Sequence, residues 1–215
     1  MSKKISEIYS EYKIMPNLQE HMLRVAAVAS MVCDNINESV KKEDIVKACL
    51  LHDMGNIIKF DLSYFPEFTK IEGLEYWQGV KDEYIKKYGD NEDEAAISIL
   101  KELNLNENII RFVSDMRFSL LCEHASSGDL NTKIVHYADS RVGPHGILSY
   151  DERMEDGNKR YKNHRSSIME EERLKLVECG REIEKQIFFG CKIIPEDIND
   201  ETVKPVILKL KKFDI

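Results

Sequence analysis

The chain has 215 residues, of which 42% are hydrophobic and 33% are charged, and its formal net charge is −8. This length suits one sizeable domain or a domain with an appendage, and the composition is that of a soluble globular protein. The acidic balance disfavours broad binding to DNA or to anionic membranes, although it leaves room for a small phosphorylated ligand. Residues 1–13 lack the apolar core of a signal peptide, and no run reaches the roughly 18 apolar residues of a membrane span. We therefore expect a cytoplasmic protein.

The cysteines are consistent with that compartment. There are five of them, at Cys33, Cys49, Cys122, Cys179 and Cys191. Their number is odd, and no two of them form a CxxC pair. We expect all five to be reduced thiols, as is usual in the cytosol.

The first strong helical pattern follows a short polar helix predicted over residues 4–13. Pro16 and Asn17 open it, and Asn17 with Glu20 three residues later resembles a capping box. Valines then recur four, seven and eleven residues after His21. This spacing predicts that His21 lies on the buried stripe of the helix.

A second helix is predicted over residues 42–53, with Gly55 as the residue that ends it. Its inner face carries His52, and Asp53 follows directly. Burying a carboxylate costs several kcal/mol unless it is paired or bound to a cation. The His52-Asp53 pair therefore needs a partner from elsewhere in the chain.

The middle of the chain reads as a connection followed by helices. Residues 56–79 are rich in aromatic and turn-forming residues, and we expect them to cover a pocket, with ordinary loop packing as the alternative. Asp139 lies between two valines on the inward face of a later helix, which the turn at 143–146 stops. Convincing strand alternation is absent, so the fold is predicted to be all-α. The helices predicted in this part of the chain span 80–88, 93–103, 107–121 and 130–142.

Charged residues dominate the last part of the chain as far as about residue 185. A capping-box pattern at Ser167–Glu170 predicts a helix to about residue 189, and the apolar residues 206–208 suit a strand or a helix. The basic run 158–165 is interpreted as a solvated link, with a lid or a polyanion contact as the alternative. We divide the chain into a domain at 1–150 and a helical extension at 151–215 packed on it.

Three predicted helices thus place metal-capable groups inward: His21, then His52 with Asp53, then Asp139. Each alone has a plain explanation, such as a hydrogen-bonded core histidine. Together, two neutral imidazoles and two carboxylates form a near-neutral complex with a divalent cation, which offsets their desolvation. This mixed ligand set leaves positions for water or substrate, and it suits Mn, Fe, Co, Ni or Zn better than Mg.

The same residues carry a resemblance to a known family. The order His21, His52-Asp53, Asp139 is similar to the H…HD…D signature of the HD-domain superfamily of metal-dependent phosphohydrolases. The words HMLRVA, LLHDMGN and YADSR around these residues resemble that family's helices, and the likeness covers roughly residues 16–150. It implies an HD-like helical bundle in which these four residues bind the metal.

The resemblance also implies hydrolysis of a phosphate ester, often of a nucleotide, by a metal-activated water that Asp53 both ligates and orients. Branches of the family with two metals carry a further histidine where this chain has Glu92, so we expect a single ion. Glu92 or Glu94 is a candidate acid or base, with a solvated helix start as the alternative.

Phosphate binding requires positive charge near the metal. The candidates for contacting substrate are Arg24, Lys59, Arg141 and His145, and each is equally explained as a surface charge or an ion pair. The expected partner is a small phosphorylated substrate, without DNA or membrane. The alternatives to an enzyme are a non-catalytic module that senses a nucleotide and a purely structural metal site.

Overall fold

The computed structural model describes residues 3–64, 66–161 and 168–215. These residues contain α-helices, short 3-10 turns and isolated β-bridges, but no strand. The all-α prediction is therefore confirmed. The helices are α1 (Ile5–Glu11), α2 (Pro16–Asn35), α3 (Lys42–Leu51), α4 (Pro66–Thr69), α5 (Leu74–Tyr88), α6 (Glu92–Glu102), α7 (Glu107–Ser114), α8 (Leu121–Ser126), α9 (Leu130–Asp139), α10 (Tyr150–Tyr161), α11 (Glu170–Phe189) and α12 (Asp200–Leu210).

Helix α2 lies at the centre of the bundle and packs against α3, α9 and α12. Three of its alanines, Ala26, Ala27 and Ala29, are fully buried, and such small side chains let neighbouring helices approach closely. The N-cap is Met15, two residues before the predicted Asn17. Pro16 occupies its first position, where a missing N–H has no consequence, and Asn17 is therefore not the N-cap.

The segment around His52 departs from its predicted shape. Helix α3 ends at Leu51, and a turn leads into the 3-10 helix Asn56–Ile58. Gly55 has φ −93°, so it is not a left-handed C′ residue. A Cβ at Gly55 would lie 2.2 Å from the Glu92 carbonyl oxygen. Glycine is therefore required because the N-terminus of α6 packs directly on this turn.

Other helix limits also differ from the predictions. Helix α5 starts at Leu74, directly after Gly73, which has a positive φ. The last part of the predicted connection at 56–79 is therefore helical. The helix predicted over 107–121 is divided into α7, a 3-10 turn at Phe118–Leu120 and α8. The apolar tail at 206–208 is helical and belongs to α12.

The C-terminal helices pack on the rest of the bundle: α11 against α8 and α9, and α12 against α2. Helix α10 covers the first part of the charged region. Residues 162–165 of the basic run and Ser167 of the predicted capping box lie outside the described residues, and α11 begins after Met169 as its N-cap. Within the described ranges, no helix has the length and apolarity needed to cross a membrane.

The prediction of five reduced cysteines is wrong for one pair. Cys122 on α8 and Cys179 on α11 form a disulfide. Cys33, Cys49 and Cys191 are free thiols. Burial raises the pKa of the Cys49 thiol well above its usual value, which is the behaviour of an unreactive core thiol.

Candidate metal centre

Four side chains from three parts of the fold lie close together: His21 from α2, His52 and Asp53 from the turn after α3, and Asp139 from the last position of α9. His21 Nε2 lies 3.1 Å from Asp139 Oδ1 and 3.5 Å from Asp53 Oδ2. His52 Nε2 lies 3.4 Å from Asp53 Oδ1 and 3.5 Å from Asp139 Oδ1. Residues that are distant in sequence therefore place two nitrogens and two carboxylates around one point.

These separations fit a shared cation. Two ligand atoms on a metal with bonds of about 2.0–2.2 Å lie roughly 3.0–3.5 Å apart. The ligand atoms of His21, His52 and Asp53 all lie within 4.8 Å of one another. The arrangement therefore has the size of a coordination sphere.

One atom of the cluster makes no hydrogen bond to the described residues, although two carboxylates lie within ion-pair distance of it. His52 Nδ1 contacts the Cys49 carbonyl oxygen at 2.9 Å, which favours the tautomer with hydrogen on Nδ1. The Nε2 atom is buried and has no hydrogen-bond partner among the described residues. A buried nitrogen lone pair aimed at two carboxylates is the arrangement that a metal ion satisfies.

The electrostatics of the cluster also favour added positive charge. Burial lowers the pKa of His52, but the negative charges of Asp53 and Asp139 outweigh it and raise the pKa to about 9. Burial raises the pKa of Asp139, but its contacts with His21 and His52 hold that pKa well below its usual value. Without a metal, the negative charge beside His52 therefore favours its protonated form.

The cluster is open on its carboxylate side. The side chain of His52 is 5% exposed, whereas that of Asp139 is 29% exposed. A ligand can thus approach the acidic face while the imidazole of His52 stays in the core.

Three of the four predicted substrate-binding residues lie at least partly at the surface. Arg24 Nη2 lies 3.3 Å from Glu20 Oε2, and Lys59 Nζ lies 3.6 Å from Glu92 Oε1. His145 is exposed, and its ring lies 5.8 Å from that of Phe68. Their role in substrate binding stays a prediction.

Arg141 is buried, unlike the other three candidates for contacting substrate. Its guanidinium is 3% exposed and donates hydrogen bonds to the carbonyl oxygens of Leu148, Pro195 and Ile198 and to the hydroxyl of Tyr137. These donors are committed to the protein's own groups, which argues against the predicted contact of Arg141 with substrate. It links the end of α9 to the C-terminal extension.

Two charged residues near the centre were missed by the sequence patterns. Asp93 lies in the first turn of α6, beside the Gly55 turn, and its pKa is raised, first by burial and then by the charge of Glu92. Lys59 and Arg117 oppose that rise. Asp93 is next to Glu92, a candidate acid or base, so its position could have been noticed in the sequence. Arg117 follows α7 in a segment without any recognisable motif.

A comparison with protein-family sequence models also identifies the region that carries the four clustered residues. The sequence model of the HD domain matches residues 18–141, which is more than half of the chain and includes all four clustered residues. No curated protein and no solved structure matches the chain.

Proposed function

The chain belongs to the HD domain family, and from that premise we propose that it is a metal-dependent phosphohydrolase. Its substrate is a phosphate ester of a nucleotide or of another small phosphorylated metabolite. The observation that carries the proposal is the buried Nε2 of His52, which makes no hydrogen bond to the described residues and lies 3.4 Å from Asp53 Oδ1 and 3.5 Å from Asp139 Oδ1. A buried histidine with a purely structural role usually has both ring nitrogens in hydrogen bonds, and His52 does not.

His21, His52, Asp53 and Asp139 would hold one divalent cation, with Mn, Fe, Co, Ni or Zn suited to the two imidazoles and two carboxylates. When bound, the cation supplies positive charge for a phosphoryl oxygen and lowers the pKa of a water molecule. Glu92 supports a single ion, because it stands near Lys59 and supplies no imidazole for a second one.

The protein's own side chains have separate tasks in this proposal. The Cys49 carbonyl fixes the tautomer of His52, and Asp53, between the two histidines, orients the attacking water. Lys59 and Arg24 supply positive charge for phosphate oxygens. We assign protonation of the leaving oxygen to solvent or to Asp93, which lies in the first turn of α6 beside the Gly55 turn.

The test compares two carboxylate variants. The full chain is purified without chelator, its bound metal is measured, and a panel of nucleotides, sugar phosphates and polyphosphates is screened with wild type, Asp53→Asn and Asp34→Asn. Asp34 pairs with Lys42 on the surface, so its variant removes a carboxylate outside the cluster. We expect wild type and Asp34→Asn to bind metal and hydrolyse the same ester, and Asp53→Asn to lose turnover.

Two results would contradict the proposal. If Asp53→Asn keeps both metal and activity, the cluster is not the catalytic site. If wild type binds metal and hydrolyses nothing in the panel, a non-catalytic nucleotide-sensing module becomes the better explanation.

A further inference from the structure

The turn that follows Asp139 is tied to the C-terminal extension by Asp200. The Asp200 carboxylate, in the first turn of α12, accepts a hydrogen bond from the Ile147 N–H at 3.2 Å and 3.3 Å from its two oxygens. A Cβ at Gly146 would lie 2.6 Å from Asp200 Oδ2. The carboxylate therefore sits directly against the backbone of the turn, and a side chain at Gly146 would require it to move.

The base of the same turn is closed by backbone hydrogen bonds. The Gly143 N–H donates to the Gly146 carbonyl at 2.8 Å, and the Leu148 N–H donates to the Arg141 carbonyl at 2.8 Å. The buried Arg141 guanidinium then joins this base to the extension, at the carbonyl of Ile198. The turn is thus held at its base by Arg141 and on its C-terminal side, at Gly146 and Ile147, by Asp200.

The side chain that this turn presents is His145. It is exposed, it comes six residues after Asp139, and its ring contacts Phe68 on α4. Helix α4 belongs to the connection that follows the His52-Asp53 turn. The two segments that leave the metal cluster, one after Asp53 and one after Asp139, therefore meet at the His145–Phe68 ring contact.

We propose that Asp200 is a positioning residue, which acts through the 143–146 turn to hold His145 at the rim of the metal centre for contact with substrate phosphate. This inference rests on the proposed function. A turn with glycine at both ends has many accessible backbone conformations, and an ionised acceptor on a backbone N–H selects one of them. The competing explanation is that Asp200 only anchors the extension.

The experiment uses the full metal-loaded chain with inorganic phosphate as the probe. The variants are Asp200→Ala, Asp200→Asn, His145→Ala and the double variant Asp200→Ala/His145→Ala. Phosphate affinity is measured by calorimetry, and the His145 ring signals are followed by NMR, since ring currents from Phe68 mark its position. Asp200→Asn keeps one carbonyl oxygen as an acceptor for the Ile147 N–H.

We expect Asp200→Ala to shift the His145 ring signals and to weaken phosphate binding by about fivefold to tenfold, the scale of one ordinary hydrogen bond. Asp200→Asn should restore most of both. In the His145→Ala background, Asp200→Ala should have no further effect on phosphate affinity, because it acts through the imidazole.

A second substitution covers the case in which Asp200→Ala unfolds the extension. Gly146→Ala pushes a Cβ into the Asp200 carboxylate while leaving α12 unchanged, and it should reproduce the loss. Gly128→Ala is its control, because a Cβ there has no atom within 4 Å.

The inference is overturned if the His145 signals do not move, or if the loss of phosphate affinity is the same with and without His145. Failure of the proposed function looks different: wild type then binds no phosphate and hydrolyses no ester. In that case the phosphate contact is refuted as well, and the ring signals alone decide whether Asp200 positions His145.

Discussion

The structure contains two pairs of neighbouring histidines, His21 with His52 and His124 with His136, whose ring centroids are 5.3 Å and 5.7 Å apart. Three of these residues, His52, His124 and His136, are less than a tenth exposed. Their partners differ. The first pair faces the carboxylates of Asp53 and Asp139, whereas His124 Nε2 and His136 Nε2 contact the carbonyl oxygens of Asp115 and Arg117.

That difference shifts the pKa values of His52 and His136 in opposite directions. Burial lowers the pKa of His136, and nearby charges do not restore it. The pKa of His52 is raised to about 9 because two carboxylates overcome the same burial. Burial is therefore outweighed by neighbouring carboxylates at His52 but not at His136, although the ring spacing of the two pairs is similar.

The largest effect should come from making the first pair resemble the second. Asp139→Asn keeps an oxygen in place and removes its charge, so it should weaken metal binding by at least about a hundredfold, more than the loss of an outer-shell partner. Turnover should fall with metal occupancy. Asp129→Asn, at the N-cap of the same helix, retains a good capping residue and should bind metal as wild type does. Equal metal affinity in the two variants would contradict a ligand role for Asp139.

The disulfide should stabilise the region around the second pair and leave the metal cluster unaffected, because α8 carries both Cys122 and His124. Cys122→Ser opens a link of sequence separation 57 and should lower the free energy of unfolding by about 2–4 kcal/mol under oxidising conditions. Metal affinity should not change. With excess dithiothreitol, wild type should become as unstable as the variant in urea titrations. Unchanged stability on reduction would mean that the link contributes nothing.

Protonation of His52 and protonation of His136 should change the free energy of unfolding of the metal-free protein in opposite directions. His52 binds its proton more tightly in the folded chain, so its contribution of about 3 kcal/mol is complete below the unfolded pKa of 6.5 and is lost as pH rises toward 9. His136 resists its proton, so it destabilises the fold as pH falls below about 6.5.

Urea unfolding in chelator between pH 5 and pH 9.5 checks this contrast. His52→Gln should flatten the alkaline decline in stability, and His136→Gln should flatten the acid decline. If neither variant changes its limb of the profile, the assigned proton affinities are wrong.

A smaller effect is expected from the backbone that supports the first pair. Gly55→Ala forces a Cβ against the Glu92 carbonyl and should lower the free energy of unfolding by about 1–3 kcal/mol. Gly79→Ala, in the exposed face of α5 with no atom near its Cβ, should instead raise it by about 1 kcal/mol. Thermal unfolding of both variants distinguishes a steric conflict at Gly55 from a general effect of replacing glycine. A stabilising Gly55→Ala would contradict the steric conflict.

The sequence predicted the features that have a local signal. Helical spacing placed His21 and Asp139 on inward faces, and the structure brings both to His52 and Asp53; their role as ligands stays a prediction. The features it did not predict depend on distant contacts. Arg141 donates to carbonyls more than 50 residues away, and the pairing of Cys122 with Cys179 depends on how α11 packs on α8.

Gly55 shows the same limit at short range. A glycine after an apolar helical run is usually read as a left-handed C′ residue. Here its backbone is right-handed, and the need for glycine comes from α6, whose approach is set by tertiary packing. Periodicity identifies which face of a helix is buried, but it does not identify what packs against it.

The most direct test of the central claim is the binding of Mn²⁺ or Zn²⁺ to wild type, His52→Gln and His124→Gln, measured by calorimetry on metal-stripped protein. Both substitutions replace a buried imidazole with an amide of similar reach. We predict one metal per chain for wild type and for His124→Gln, and binding weakened by at least about a hundredfold for His52→Gln. Wild-type affinity in His52→Gln, or no metal binding by any of the three proteins, would contradict the account.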